Sequence, residues 1–298
     1  MNRIFRSILL SNLIFIGGAF LEEGHGQTIP IHIPPPKARA ASILLKDLQT
    51  GTPLYEHHAS RRLPPASLTK ILSALVILDS GDLDRHVTIS REAARAPKSR
   101  LGIRPGDVFI LKDLLQAMLI TSANDACRAA TQFVGDDLKH FVSLMNQRAA
   151  MMGLSDSHFM NPCGFDSPGH FSTAQDLARL TELALEHPIF REIVSTKEAT
   201  IISLKKHRKY ELRNTNRLLS TIQGVEGVKT GFTSRAGRCL IAKVRQEGKE
   251  LLLVLMDAKR RWQTATSFIQ YGINLLNSRQ LLVPTKLEST PSTGSSKS

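Results

Sequence analysis

Short strand-like apolar runs stand on either side of a long middle stretch in which apolar positions recur with helical spacing. Ala41 to Leu48 and Pro53 to His58 read as strands flanking Gln49-Thr50-Gly51-Thr52, a hairpin signal. Leu63-Pro64-Pro65-Ala66 then stops any preceding element, and the apolar stretch Ile71 to Leu78 continues beyond it. This pattern predicts a buried helix opened by Ser67. Helical periodicity governs the chain from Leu68 to about Glu186, with segments at Lys112 to Ile120, Asn124 to Val134, Leu138 to Met152 and Thr173 to Glu186. In the last of these, Thr173 stands three residues before Asp176, where a capping side chain belongs. Strand patterning returns in Glu198 to Leu204 and Tyr210 to Arg213, and again in Arg238 to Arg245 and Glu250 to Met256, joined at Gln246-Glu247-Gly248-Lys249. A final helix is predicted from Arg261 to Leu276. Strands from both ends with helices inserted between them predict an α+β fold.

The termini follow other rules. Arg3 and Arg6 precede the apolar run Ile8 to Leu21, which Ser11, Asn12, Gly17 and Gly18 interrupt. The run is short for a membrane span and fits a secretory signal peptide over residues 1–26. Gly24-His25-Gly26 offers a small-x-small cleavage site before Gln27, and an uncleaved anchor is the alternative. Four prolines between Pro30 and Pro36 make 27–38 an extended linker. Residues 39–278 form the expected domain, and 279–298, ending in Pro291-Ser292-Thr293-Gly294-Ser295-Ser296-Lys297-Ser298, read as a disordered polar tail. A chain of 298 residues with 42% hydrophobic content can bury a sizeable core.

Composition narrows the chemistry. The formal charge of +13 raises nucleic-acid binding, but the densest basic run, Lys205-Lys206-His207-Arg208-Lys209, falls where a hairpin tip belongs. An exported protein meets little nucleic acid. The charge is better assigned to long-range attraction toward anionic envelope polymers. Three cysteines leave at least one thiol free unless chains pair, and Cys127 and Cys239 read as small buried hydrophobes. No cysteine–histidine motif supports a thiol nucleophile. There is no His-Glu-x-x-His, and the ten histidines show no ligand-like spacing, so no metal or other cofactor is expected.

Three tripeptide and tetrapeptide motifs stand in order: Ser67-Leu68-Thr69-Lys70, Ser122-Ala123-Asn124 and Lys229-Thr230-Gly231. Singly, each has a bland reading as a helix cap beside a solvated lysine, a helix cap, and a surface turn. The chain even holds a second S-x-x-K, Ser203-Leu204-Lys205-Lys206, in a strand-like stretch with no supporting partner. Ser67 differs in its setting. A helix N-terminus offers unpaired N–H groups and a positive dipole end where an oxyanion develops. Residues three apart share a helical face, so Lys70 can reach the Ser67 hydroxyl. It can act as its base if burial and a second cation, with Lys229 the obvious one, depress its pKa.

The ordered triplet resembles that of the penicillin-binding proteins and serine β-lactamases. Its flanks are most similar to the low-molecular-weight D-alanyl-D-alanine carboxypeptidases: Leu63-Pro64-Pro65-Ala66-Ser67-Leu68-Thr69-Lys70, Ser122-Ala123-Asn124-Asp125-Ala126, His158-Phe159-Met160-Asn161-Pro162 and Gly227-Val228-Lys229-Thr230-Gly231-Phe232-Thr233. The likeness runs from about Arg39 to Asn277. It implies an antiparallel β-sheet flanked by helices, with an inserted all-helical subdomain and the site between them. It also implies acyl transfer from peptidoglycan pentapeptides ending in D-Ala-D-Ala, with Ser67 as nucleophile, Lys70 as base and Ser122 on the proton path to the leaving amine. Asn124, Lys229 and Thr230 would bind substrate, Gly231 would let the strand approach it, and the N–H groups of Ser67 and Phe232 would form the oxyanion hole. β-Lactams would act as covalent inhibitors, and His158 and His170 would serve loop structure. Longer relatives carry a β-rich second domain and a C-terminal amphipathic anchor. This chain ends too soon for either, so membrane contact is expected at most through the N-terminal segment, in the periplasm or another extracytoplasmic compartment. Class A β-lactamases activate the deacylating water with a glutamate downstream of the second motif, and between Asn124 and Glu182 there is none. A slowly reversing penicillin adduct is therefore expected in place of β-lactam hydrolysis. Two alternatives stay open: a DD-endopeptidase, and a peptidoglycan-binding protein without activity.

Overall fold

The computed structural model describes residues 33–281, which fall within one compact unit. The expected signal peptide, residues 27–32 of the linker and residues 282–298 of the polar tail lie outside the described residues, and the first three residues expected in that tail belong instead to the last helix, which runs to Leu281. The elements are β1 (Ser42–Asp47), β2 (Pro53–His57), α1 (Lys70–Asp79), β3 (His86–Thr88), α2 (Arg91–Ala94), β4 (Val108–Ile110), α3 (Leu111–Ile120), α4 (Asn124–Gly135), α5 (Leu138–Met151), α6 (Ala174–Glu186), α7 (Pro188–Ser195), β5 (Glu198–Ile202), β6 (Lys209–Arg213), α8 (Leu218–Thr221), β7 (Val225–Thr233), β8 (Gly237–Gln246), β9 (Lys249–Met256) and α9 (Arg261–Leu281).

The five-stranded sheet runs in the order β2-β1-β9-β8-β7, every neighbouring pair antiparallel, so it is assembled from both ends of the chain as expected. Its central strands carry continuous apolar runs at 43–45, 239–242 and 251–256 because both faces are covered. On β9, Leu251, Leu253 and Leu255 pack toward Phe268, Ile269 and Ile273 of α9, whereas Leu252, Val254 and Met256 join the helical core. That second core centres on α1, which is buried from Lys70 to Leu78.

Four differences from the sequence pattern have physical causes. Ser67 does not open an α-helix: a single 3-10 turn, Ala66–Thr69, comes first, entered through Ala66 at a φ of 49°, and α1 begins at Lys70. The helical middle is interrupted by the β3–β4 pair, whose three-residue strands are too short to show a period of two. It is interrupted again by an irregular segment, residues 153–173, held by isolated bridges Leu63 to Ser172 and His158 to Phe171. Finally, α7 begins at Pro188, which suits a first helical turn, and buries Phe190, Ile193 and Val194. The Thr173 cap forms as expected, its side chain accepting from the Asp176 N–H at 3.0 Å, and the basic run lies at the β5–β6 hairpin.

Candidate active site

Ser67, on the 3-10 turn, and Lys70, at the first position of α1, are brought onto one face, with Lys70 Nζ 2.9 Å from Ser67 Oγ. Lys70 is fully buried, and its Nζ also lies 2.8 Å from Asn124 Oδ1 and 2.6 Å from the Cys163 carbonyl oxygen. Burial first, and then the charge of Lys229, hold its pKa well below the ordinary lysine value. Lys229 is the second cation anticipated from the motifs.

Asn124 is the first residue of α4, and its amide is fully engaged. Oδ1 accepts from Lys70, while Nδ2 donates to the carbonyls of Pro97 at 2.9 Å and Lys98 at 2.8 Å. Its observed contacts therefore position Lys70 and the 97–99 loop. Ser122 does not cap the helix. It sits just outside it at a φ of 62°, nearly buried, in the turn between α3 and α4. Its neighbours fix that turn: Ala123 N–H donates to Ala117 O and Asn124 N–H to Ser99 O.

The third motif is no surface turn. Lys229, Thr230 and Gly231 are buried on β7, the last strand of the sheet, paired with Ile241, Leu240 and Cys239. Lys229 Nζ donates to the Thr230 carbonyl at 3.0 Å, and its pKa is pushed down to about 7 by burial and then by the Arg261 guanidinium. Arg261 itself donates to the carbonyls of Gly231 and Cys239 at 3.0 and 2.9 Å, pinning β7 to β8 from the start of α9. Thr230 Oγ1 is 2.7 Å from Thr215 Oγ1. A Cβ at Gly231 would stand 3.1 Å from Ser67 N and 3.1 Å from Ala66 Cβ, so glycine lets β7 cross directly against the 3-10 turn. Beyond it Phe232 is 62% exposed, with the Arg238 guanidinium over its ring.

The segment 157–172 forms the floor. Asn161 Oδ1 accepts from the N–H groups of Cys163, Gly164 and Phe165, and Ser73 Oγ donates to Pro162 O at 2.6 Å. Gly164 has a φ of +81°, and a Cβ there would overlap the Ala66 carbonyl. His170 Nδ1 accepts from the Met160 N–H at 3.0 Å, which leaves Nε2–H to donate to Thr69 Oγ1 at 2.9 Å. Burial first, then His158, holds His170 neutral, with its pKa down to about 4. The expected structural role of this histidine fits that geometry.

The reading of Cys127 as a mere small hydrophobe is corrected: it forms a disulfide with Cys163, because the floor folds back onto α4. Closing a loop of 36 residues is worth about 4 kcal/mol in the chain-entropy model. Cys239 is the free thiol, buried, with its pKa raised to about 11 mainly by burial. Cys163, Thr215, His170 and Arg261 are the site neighbours that the motifs did not name. Among the described residues no group of three or more His, Cys, Asp and Glu side chains could hold a metal ion.

The structure thus brings the three motifs together: a 3-10 turn carrying Ser67, the buried Lys70 beside it, and the K-T-G strand crossing against both. The peptidase S11 family model, D-alanyl-D-alanine carboxypeptidase, matches residues 30–260. The chain is 30% identical to the D-alanyl-D-alanine carboxypeptidase DacF of Bacillus subtilis, over 92% of this chain and 72% of that protein. It is 33% identical to DacC of Escherichia coli, over 86% and 66%, and 32% identical to a D-alanyl-D-alanine endopeptidase of Pseudomonas aeruginosa, over 76% of each. The Streptomyces K15 DD-transpeptidase superposes with a TM-score of 0.76 at 29% identity, over 81% of this chain and all of that one. The chain belongs to the peptidase S11 family of D-alanyl-D-alanine carboxypeptidases, serine DD-peptidases with a penicillin-binding fold.

Proposed function

We propose that the protein removes the terminal D-alanine from peptidoglycan stem peptides through an acyl-enzyme on Ser67. The observation that carries this reading is the surroundings of Lys70 Nζ. Two of its three partners, Asn124 Oδ1 and Cys163 O, can only accept. A neutral amine has two N–H groups for them and one lone pair left, which then faces the Ser67 hydroxyl at 2.9 Å. That is the geometry of a general base, and the buried, cation-flanked setting supplies the neutral form.

In this mechanism Ser67 Oγ attacks the penultimate D-alanine carbonyl as Lys70 takes its proton. The N–H groups of Ser67 and Phe232, brought together by the close approach at Gly231, stabilise the oxyanion. Ser122 passes the proton to the departing amine, and Thr230 with Lys229 holds the substrate carboxylate. The peptide lies along β7, whose position at the sheet edge leaves room for an added strand. Asn124 acts mainly by orienting Lys70. Water then hydrolyses the acyl-enzyme.

A second reading, cleavage of peptide cross-links, is favoured by the relatives named endopeptidase at 32% and 28% identity; it uses the same acylation on a larger leaving group. We place the protein in an extracytoplasmic compartment, with 39–278 as its catalytic domain. The Cys127–Cys163 disulfide supports export, since such bonds persist under oxidising conditions.

The test is intact-mass analysis after incubation with penicillin, with peptide mapping against Ser67→Ala. One adduct per chain on Ser67 is expected. A folded protein that takes no adduct would overturn acyl transfer in favour of a peptidoglycan-binding role. Digestion of pentapeptide monomers and of cross-linked dimers then separates the two activities.

A further inference from the structure

One of the atoms that orient Lys70 belongs to a backbone carbonyl, that of Cys163, and no side-chain motif marks it. Cys163 is bonded to Cys127, which lies three residues beyond Asn124 on α4. The two acceptors of the Lys70 N–H groups, Asn124 Oδ1 and Cys163 O, are thus carried on the two arms of one covalent bridge. Both sulfurs are enclosed, Cys127 being 0% and Cys163 2% exposed, between α1, α4 and the floor segment.

We propose that the Cys127–Cys163 disulfide is a positioning element of the reaction: it sets the spacing of the two acceptors, keeps the Lys70 lone pair on Ser67, and makes the oxidised protein the acylation-competent form. The inference rests on Lys70 being the base. Formation of the bridge joins the two sulfurs with loss of two protons and two electrons, passed by thiol–disulfide exchange to an oxidising disulfide that becomes a dithiol. Without the bridge, the floor around residue 163 keeps its tie to α1 through the Ser73–Pro162 contact, while toward α4 it keeps only the stacking of Arg128 over the Phe165 ring. The carbonyl then drifts, water reaches the amine, and the desolvation that keeps Lys70 neutral is relieved.

The groups facing Lys70 are Ser67 on its own turn, Asn124 from α4, the Cys163 carbonyl from the floor and Lys229 from β7. Lys229 in turn faces Arg261, and His170 faces Thr69 as a neutral ring. Opening the floor leaves Lys229 in place, so water entry dominates and the Lys70 pKa rises.

The experiment is the pH profile, from about pH 5 to 10, of the second-order rate of penicillin acylation, for the parent and a Cys127→Ser/Cys163→Ser double variant, at a temperature where both are folded. The acidic limb of the variant should move up by at least about one pH unit. Its rate at pH 7 should fall at least about tenfold and largely recover at high pH. An acidic limb in the parent's position, with a lowered Tm alone, would overturn the proposal and leave the bridge a simple staple. If the double variant does not fold, the parent is reduced under native conditions with a phosphine, its thiols are alkylated and counted by mass, and the same profile is recorded. A parent-like limb in the reduced, folded protein overturns the proposal, and a displaced one supports it. Lys70→Ala with the bridge intact separates the two claims: near-normal acylation there sinks the base assignment itself, whereas an inactive Lys70→Ala beside an unshifted bridge variant sinks only the positioning role.

Discussion

Ser67-Leu68-Thr69-Lys70 and Ser203-Leu204-Lys205-Lys206 share the S-x-x-K spacing, and the fold treats them in opposite ways. In the first, the lysine is buried and the serine hydroxyl has it as a partner. In the second, Lys205 and Lys206 are exposed at the β5–β6 hairpin, while Ser203 Oγ is buried with no partner among the described residues. The second serine works through its backbone, Ser203 N–H donating to Arg208 O and His207 N–H to Ser203 O. The 3-10 turn running into α1 stacks positions three apart, whereas a hairpin turn spreads them. The difference lies in the surroundings of the tetrapeptide: Asn124, Cys163 and Lys229, which face Lys70, are drawn from three distant parts of the chain.

The sharpest way to break the comparison is to remove each lysine. Lys70→Ala should lower the acylation rate by about a thousandfold or more, and Lys206→Ala should leave it unchanged, as read by stopped-flow with a reporter penicillin. Equal effects would remove the distinction.

A smaller effect tests the floor that only the first motif possesses. His170 folds with a pKa of about 4 against an ordinary 6.5, so the unfolded chain takes up a proton that the native one refuses. Its contribution to stability is complete above pH 6.5 and is lost as pH falls toward 4, on the order of 3 kcal/mol. Asp113, raised to about 6 mainly by burial, acts in the opposite sense over an overlapping range. The His170 contribution is therefore read as the difference in acid-side slope of urea stability between the parent and His170→Asn. Identical slopes would refute it.

The smallest effect lies at the hairpin. Ser203→Ala removes a buried hydroxyl without a partner and should be neutral or stabilising by about 1 kcal/mol. A marked loss of stability would mean that the hydroxyl has a partner after all.

Much of this was legible in the chain itself. β1, β8 and β9 stood out because a sheet covered on both faces demands near-continuous apolar strands, and α3 to α6 because each buries one stripe. The three motifs could be ordered and their settings compared. Three things could not be read. The 3-10 turn depends on the backbone of Ala66, where no side-chain pattern marks a φ of 49°. The Cys127–Cys163 bond depends on an irregular segment folding back onto α4. The burial of Lys229-Thr230-Gly231 depends on neighbours from β8 and α9, and the tripeptide alone looks like a turn. Arg261 and Thr215 were missed for the same reason, being single polar residues whose meaning comes from β7.

The order of strands also has a kinetic consequence. β1 lies between β2 and β9, and Ser42 pairs with Met256. The β1–β2 hairpin emerges first but is too small to persist alone, and its long-range partner is the last strand to be made among the described residues. Closing that contact carries a high loop-entropy cost, so folding is slow and its central step waits for almost the entire domain. Until then the β9-facing edge of β1 remains an unpaired apolar edge, open to wrong partners.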